Sequence, residues 1–484
     1  MIQSLKRLTQ HSAIYGLSDV VGRSLSFLLV PVYTHVLPTE AYGHVALIYA
    51  FIGLMNVLFS YGMDSAFLRF YMLEESRKQQ TLSTGYLTML FTSLVLAGLI
   101  IAGAPAIDAL IGSSVPLTPY IRLSGIILAL DALGVIPFAR LRAEGRAPLF
   151  ASLKLAKVML ELAGNYWLVV RQGAGLEGIL ISNIAGSGIT CAALTLLTLR
   201  SLSFEWNRSR LAALLKFGIP YIPAGACVIL IEMIDRFMLE RMTGTEAVGV
   251  YNAARKLGVG MLIFVNVFRL AWQPFFLETS KQEDARAIFA RVLTYFLLIT
   301  SGVFLALSLL IDELIRMPVG GYTFFAEAYW GGTGLVPLFL LAYILYGLYV
   351  NLTVGIYLEK KTTVLPVITG LAAGVSIVAN LAMIPSYGMY GAAAASVLAY
   401  TVMVAGLYIV AQRHYPIPYE YARILKITLL CGGLFGVGRL GLAEGMWMAK
   451  LGLLAGYPVL LAATGFFNAQ ERGYVKRRLR PLLS

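Results

Sequence analysis

Apolar stretches long enough to cross a bilayer recur along almost the whole of this chain, and that leaves few folds open to it. Within lipid no water satisfies the backbone N–H and C=O groups. A spanning segment therefore closes its own hydrogen bonds as a helix or joins a sealed barrel. A helical span needs about 20 mostly apolar residues, whereas a barrel strand needs about half as many in strict alternation. Fourteen stretches of the helical kind can be read, near 12–33, 40–63, 82–104, 117–139, 148–170, 176–199, 213–238, 246–272, 288–311, 334–357, 363–384, 389–411, 423–441 and 446–467. The expected fold is all-α, a polytopic membrane protein of about fourteen transmembrane helices. Only 13% of the residues are charged, against roughly 25% in soluble domains.

The basic residues orient the bundle. With Lys6 and Arg7 placed in the cytoplasm, the connections on that side carry Arg77 and Lys78, then Arg140, Arg142 and Arg146, then Arg200, Arg208, Arg210 and Lys216. Lys281 and Arg286, Lys360 and Lys361, and Arg413 and Arg423 follow, and the tail adds Arg472, Lys476, Arg477, Arg478 and Arg480. The opposite connections hold only Arg171, Arg241, Arg316, Arg439 and Lys450. This positive-inside bias predicts an even number of spans with both termini cytoplasmic. It accounts for most of the net charge of +13. The basic tail is expected against anionic lipid, not nucleic acid. The first stretch carries Asp19 and Arg23 and lacks a small-residue cleavage pattern, so it is expected to stay as a span.

An internal repeat divides the chain. Thr39-Glu40-Ala41-Tyr42-Gly43 follows the first stretch and Thr245-Glu246-Ala247-Val248-Gly249 follows the seventh, 206 residues later. Gly175-Leu176-Glu177-Gly178 and Gly388-Met389-Tyr390-Gly391 occupy matching later places, offset by 213. Six spans per half give both halves the same orientation, related by an axis along the membrane normal with a cavity between them. The expected organisation is an N-lobe over 1–205, a C-lobe over 206–415, and a last pair of spans with the tail over 416–484. The segment 201–212 is expected to bridge the lobes.

Ionic side chains inside the spans point to function. A charge near the bilayer centre costs about 2.5–3.5 kcal/mol on insertion scales, so such residues face protein or a wet cavity. At helical spacing, Asp19 and Arg23 share a face of span 1, and Asn56 lies on the stripe of span 2. Lys154, Lys157 and Glu161 align on span 5, and Asn252, Arg255, Asn266, Arg269 and Gln273 on span 8. Span 7 ends with Glu232, Asp235 and Arg236. Asp19–Arg23 and Glu232–Arg236 have the i, i+4 order of an ion pair, which leaves them open as structural pairs or as substrate contacts. Arg255 and Arg269 have no acidic partner on their own helix and suit an anionic cargo. Asp19, Glu161, Glu232 and Asp235 are the candidate ion-coupling acids, since a carboxylate in a partly dry cavity is poised to take a proton. Cys191, Cys227 and Cys431 read as small buried residues, and the four scattered histidines form no ligand set. No metal and no cofactor is expected. The connections are short and lack Walker, catalytic-triad and paired-carboxylate patterns, which argues against a membrane glycosyltransferase or polymerase.

Three segments carry a resemblance. Pro31-Val32-Tyr33-Thr34-His35-Val36-Leu37 with Glu40-Ala41-Tyr42-Gly43 resembles the opening of bacterial polysaccharide-biosynthesis flippases (Wzx-type). These belong to the multidrug/oligosaccharidyl-lipid/polysaccharide exporter superfamily. Asp235-Arg236-Phe237-Met238-Leu239, followed by Gly249-Val250-Tyr251-Asn252-Ala253-Ala254-Arg255-Lys256-Leu257, is similar to their central motif. Ile384-Pro385 with Gly388 and Gly391-Ala392-Ala393 is similar to their late one. The resemblance implies two six-helix lobes with spans 1, 2, 7 and 8 lining the cavity. It implies alternating-access export of an undecaprenyl-diphosphate-linked oligosaccharide across the inner (plasma) membrane. Lipid, a proton or sodium ion, and a glycan polymerase are the partners to be expected. Spans 13 and 14 resemble those of peptidoglycan-precursor flippases of the same superfamily. The drug-exporting branch, handling cations, is the alternative that the acidic residues keep open.

Overall fold

The computed structural model describes residues 31–467, apart from 114, 204, 220, 281, 320, 321, 360, 362, 443 and 444. Span 1, with Asp19 and Arg23, lies outside the described residues except for its end, as do the basic tail and the Gln273 side chain. The described residues are helical almost throughout. Helix α1 covers Thr39–Ser60, α2 Met63–Leu73, α3 Lys78–Ile111, α4 Thr118–Ala143, α5 Ala147–Asn165 and α6 Gly175–Leu199. After these, α7 is Arg208–Gly218, α8 Tyr221–Thr243, α9 Thr245–Leu257, α10 Val259–Thr279 and α11 Ala285–Arg316. The series ends with α12 at Val336–Leu358, α13 at Val364–His414, α14 at Tyr421–Gly441 and α15 at Trp447–Ala463. Each expected span after the first falls on one of these helices or on a pair. Among the described residues, eight helices are long and apolar enough to cross a membrane, nine if the bent pair α9–α10 counts as one.

The breaks have local causes. At 51 residues α13 is too long for one crossing. Gly388 leaves the helix at φ 52°, ψ −129°, and a Cβ on Gly391 would strike the carbonyl of Met383. A straight helix would hold those residues about 12 Å apart, so the chain reverses there and α13 is two crossings, as the sequence predicts. Helices α9 and α10 bend by 49° around Gly258. The single straight span expected there, with Arg255 and Arg269 on a common stripe, is broken. The bend ends the stripe.

The helices assemble into two groups. In the first, α4 packs on α3 and α6, and α5 packs on α6. In the second, α13 packs on α8 and α12, and α10 on α12. The groups meet where α1 lies against α9 and α8. At the head of this seam the two repeats touch one another. A Cβ on Gly43 would strike the carbonyl of Thr245, and one on Gly249 the carbonyl of Thr39. The Thr39 hydroxyl reaches Glu246 at 3.4 Å. Only glycine lets the two helix starts approach this closely. Tyr329 closes the same end, donating to the Leu37 carbonyl at 2.9 Å and meeting the Tyr42 ring edge-on.

The other end holds the arginine-rich connections. Glu144 accepts from Arg140 at 2.6 Å and lies 3.1 Å from Arg146, and Tyr71 donates to it at 3.0 Å. Burial pushes its carboxyl up, but these partners outweigh burial and hold it below the usual range. The bridge after α6 is more than a linker. Its second half begins α7, capped by the Asn207 side chain on the Arg210 amide. Arg210 is buried against Glu74 at 2.7 Å, and Arg69 lies over the Phe217 ring. An amphipathic helix is thereby fixed to the first group through α2 and α3.

Among the described residues the C-terminal pair packs chiefly on α11 of the second group. Arg439 pairs with Asp312, and Lys450 with Glu313 at 2.7 Å. Deeper in, Tyr457 and Ser301 share a hydrogen bond of 2.6 Å.

Candidate transport pathway

Exposure changes along the seam. On α1, residues 42–48 are buried at the glycine contact, Tyr49 is half-buried and Asn56 is exposed. On the facing lobe, residues 248–255 are all buried, whereas Asn266 is half-buried and Arg269 exposed. The lobes are closed where the repeats meet and part towards the arginine-rich end. An exposed asparagine and arginine inside spans signify a wet space, because lipid would not solvate them.

Arg269 is the cation this space displays. Its Nη1 donates to the Tyr346 hydroxyl at 3.0 Å, and among the described residues no carboxylate pairs with it. Arg255, expected on the same stripe, is placed differently. It is 8% exposed, and its Nη1 lies 2.8 Å from Asp235 Oδ2. Asp235 is wholly buried and also accepts from the Tyr251 hydroxyl at 2.5 Å and the Arg236 amide at 2.8 Å. Its partner comes from the neighbouring helix α8, where inspection of one helix at a time could not find it. In this conformation both Arg255 and Asp235 are turned inward, and Asn252 is buried with them.

Glu232 and Arg236, left open by their spacing as an ion pair or as substrate contacts, do not pair through their side chains. Arg236 Nη1 donates instead to the Glu232 backbone carbonyl at 2.7 Å and approaches Met233 Sδ at 3.1 Å. The reason is competition: Asp235, one residue away, already supplies carboxylate charge at 3.7 Å. The Glu232 side chain is left half-buried.

In the first lobe, Lys157 and Glu161 come together with a residue the sequence reading passed over. Lys157 Nζ lies 2.5 Å from Asp131 Oδ1 and 3.8 Å from Glu161 Oε1. Ser187 donates to Asp131 at 2.8 Å, and Asn183, beside it, donates to Tyr49 at 3.2 Å. This polar chain runs from α4 through α5 and α6 to α1. Asp131 sits inside span 4 and meets the criterion that singled out the other acids. It was the only charge in that span's middle, and no stripe drew attention to it. Lys154 lies apart, over the Phe138 and Phe150 rings at 5.7 and 5.6 Å.

Among the described residues no group of histidine, cysteine and acidic side chains could hold a metal. The machinery is two helical lobes, a seam closed at one end, and ionic groups placed differently in each lobe.

The fold is that of membrane transporters. The chain is similar to the lipid II flippase MurJ in an inward closed conformation, with a TM-score of 0.76 at 15% identity over 95% of this chain and 99% of that one. It is similar also to an inward-facing multidrug resistance MATE family transporter of the MOP superfamily, with a TM-score of 0.65 at 14% identity over 81% and 94%. The Vibrio cholerae MATE transporter VcmN matches at 0.61 and 15% over 84% and 96%. No curated protein matches in sequence. Residues 32–321 match the polysaccharide biosynthesis protein family, and the chain belongs to that family.

Proposed function

We propose that this protein is a flippase that moves an undecaprenyl-diphosphate-linked oligosaccharide from the cytoplasmic to the outer leaflet by alternating access. Arg269 carries the reading. A guanidinium exposed within a span and unmatched by carboxylate is an unfavourable arrangement unless an anion visits it. A diphosphate is such an anion, and arginine forks onto phosphate oxygens. Asn56 and Asn266 offer hydrogen bonds to the sugars, while the prenyl chain stays in lipid. The seam, closed beside Thr39 and Thr245, is then the outer gate. In this orientation the arginine-rich connections and both termini are cytoplasmic, in the inner membrane.

The cation-exporting alternative has less support. The half-buried carboxylates of the first lobe, Asp131 and Glu161, already hold the Lys157 ammonium, which competes with a cationic drug. Coupling to a proton or sodium ion through Glu161, Glu232 or Asp235 belongs to the same proposal.

Purified protein in proteoliposomes with a fluorescent undecaprenyl-diphosphate oligosaccharide tests it. Flipping is read as protection from a membrane-impermeant quencher. Arg269→Ala should lose most of the rate, and Arg269→Lys should keep part of it. Equal rates for Arg269→Ala and the wild type would remove the basis of the assignment.

A further inference from the structure

The closed seam contains two buried polar atoms with nothing to bond. His44 on α1 is 7% exposed and Glu240 near the end of α8 is 5% exposed. His44 Nε2 and Glu240 Oε2 both lack a hydrogen-bond partner among the described residues. The other oxygen, Glu240 Oε1, accepts from the Thr245 hydroxyl at 2.7 Å. Thr245 is the residue whose carbonyl abuts Gly43. The acid is thus held against the second lobe's half of the glycine contact, and the imidazole follows Gly43 in the first lobe's half. Burial opposes a positive charge on the ring, and Glu240 and, on the ring's own helix α1, Glu40 favour one. Glu246 of α9 is engaged by Thr39 across the seam.

Two orphaned polar groups at one interface cost more than a satisfied pair. A proton on the imidazole changes the account, because Nε2–H then carries positive charge and donates to a carboxylate far more strongly than a neutral ring does. We propose that His44 and Glu240 form a proton-operated latch across the outer seal, which grips when His44 is protonated and loosens when it is neutral. Imidazole is the side chain that changes charge between about pH 5 and 8. The latch joins the lobes only when the seam is shut, so acidification favours the shut form. Its consequence for transport rests on the flippase reading: protons from the outer side would return the empty carrier to the inward-facing state. The latch itself does not require a substrate.

The test uses the full chain in nanodiscs, with Cys191→Ala, Cys227→Ala and Cys431→Ala, and nitroxides on Val36→Cys and Met242→Cys. Both labelled positions are exposed beside the seam, one on each lobe. Pulsed electron paramagnetic resonance reads the distance between them without any glycan. Between pH 8 and pH 5.5 the ratio of short to long separations should rise about tenfold, the scale of one charge-assisted hydrogen bond. His44→Gln and Glu240→Gln should each flatten that response. A wild-type distribution that ignores pH overturns the latch, and so does an unchanged response in His44→Gln. A protein that shows the response through His44 but flips no lipid-linked glycan would keep the latch and lose the substrate assignment.

Discussion

Asp235→Asn removes one charge and leaves another stranded. The asparagine keeps the shape of the site and can still bond Tyr251, but Arg255, 8% exposed, loses the carboxylate at 2.8 Å. Breaking a buried ion pair by deleting one member costs about 3–5 kcal/mol, whereas replacing both members with well-packed groups is often close to neutral. Asp235→Asn should therefore destabilise the protein by about 3–5 kcal/mol, and Asp235→Asn with Arg255→Met should recover at least half of that. Arg236 sets the limit of recovery, since its guanidinium lies 3.7 Å from Asp235. The assay is a double-mutant cycle on detergent-solubilised protein, with thermal unfolding followed by size-exclusion of the surviving monodisperse fraction. The apparent Tm of the single variant should fall by about 3–5 °C. A loss below about 1 kcal/mol, or a double variant no more stable than Asp235→Asn, would show that the pair is not the buried counter-charge described above. If the double variant is stable yet transports nothing, the Asp235–Arg255 pair also has a part in transport.

Other perturbations have opposite signatures. Arg269→Ala should leave the Tm within about 1–2 °C of wild type, as expected for an exposed side chain, while its flipping rate collapses. Gly43→Ala should cost about 1–3 kcal/mol through overpacking against Thr245 and shift the nitroxide distances at the seam towards longer values at every pH. Arg439→Ala with Lys450→Ala should expose Asp312 and Glu313 and make the chain between α14 and α15 more sensitive to limited proteolysis, with the lobes themselves intact. Glu144→Gln should lower thermal stability at pH 7. The depressed carboxyl contributes its stability above the unfolded-state value and loses it as pH falls through the folded-state value, so the gap between wild type and variant should close as pH falls below the ordinary glutamate range.

The spans were legible because length and apolarity are properties of consecutive residues. So was the reversal at Gly388, where Pro385, Gly388 and Gly391 interrupt an apolar run. The repeat at Thr39 and Thr245 was legible as text, yet nothing in the text says that the two copies touch; that needs the lobes to be folded. Arg255 shows the same limit from the other side. Its helix offers no acid, so reading one helix face makes it a free cation, and only packing of α8 on the bend brings in Asp235. Asp131 was visible as an acid within a span but had no neighbour on its stripe, its partners Lys157 and Ser187 lying on two other helices. The polar run before α7 gives an N-cap at Asn207, a signal available from sequence that an apolar search does not collect.

The contact of Gly43 on Thr245 and of Gly249 on Thr39 has the reciprocity of an isologous dimer interface, in which each copy presents the same patch to the other. A half-length ancestor bearing one Thr-Glu-Ala-x-Gly turn would have met a second copy of itself through this surface. Joining two copies in one chain frees each from remaining identical. The first copy now has Tyr42 and His44 where the second has Val248 and Val250. A titratable ring therefore stands on one side of the contact only, an asymmetry that a homodimer, with every substitution made twice, could not have acquired.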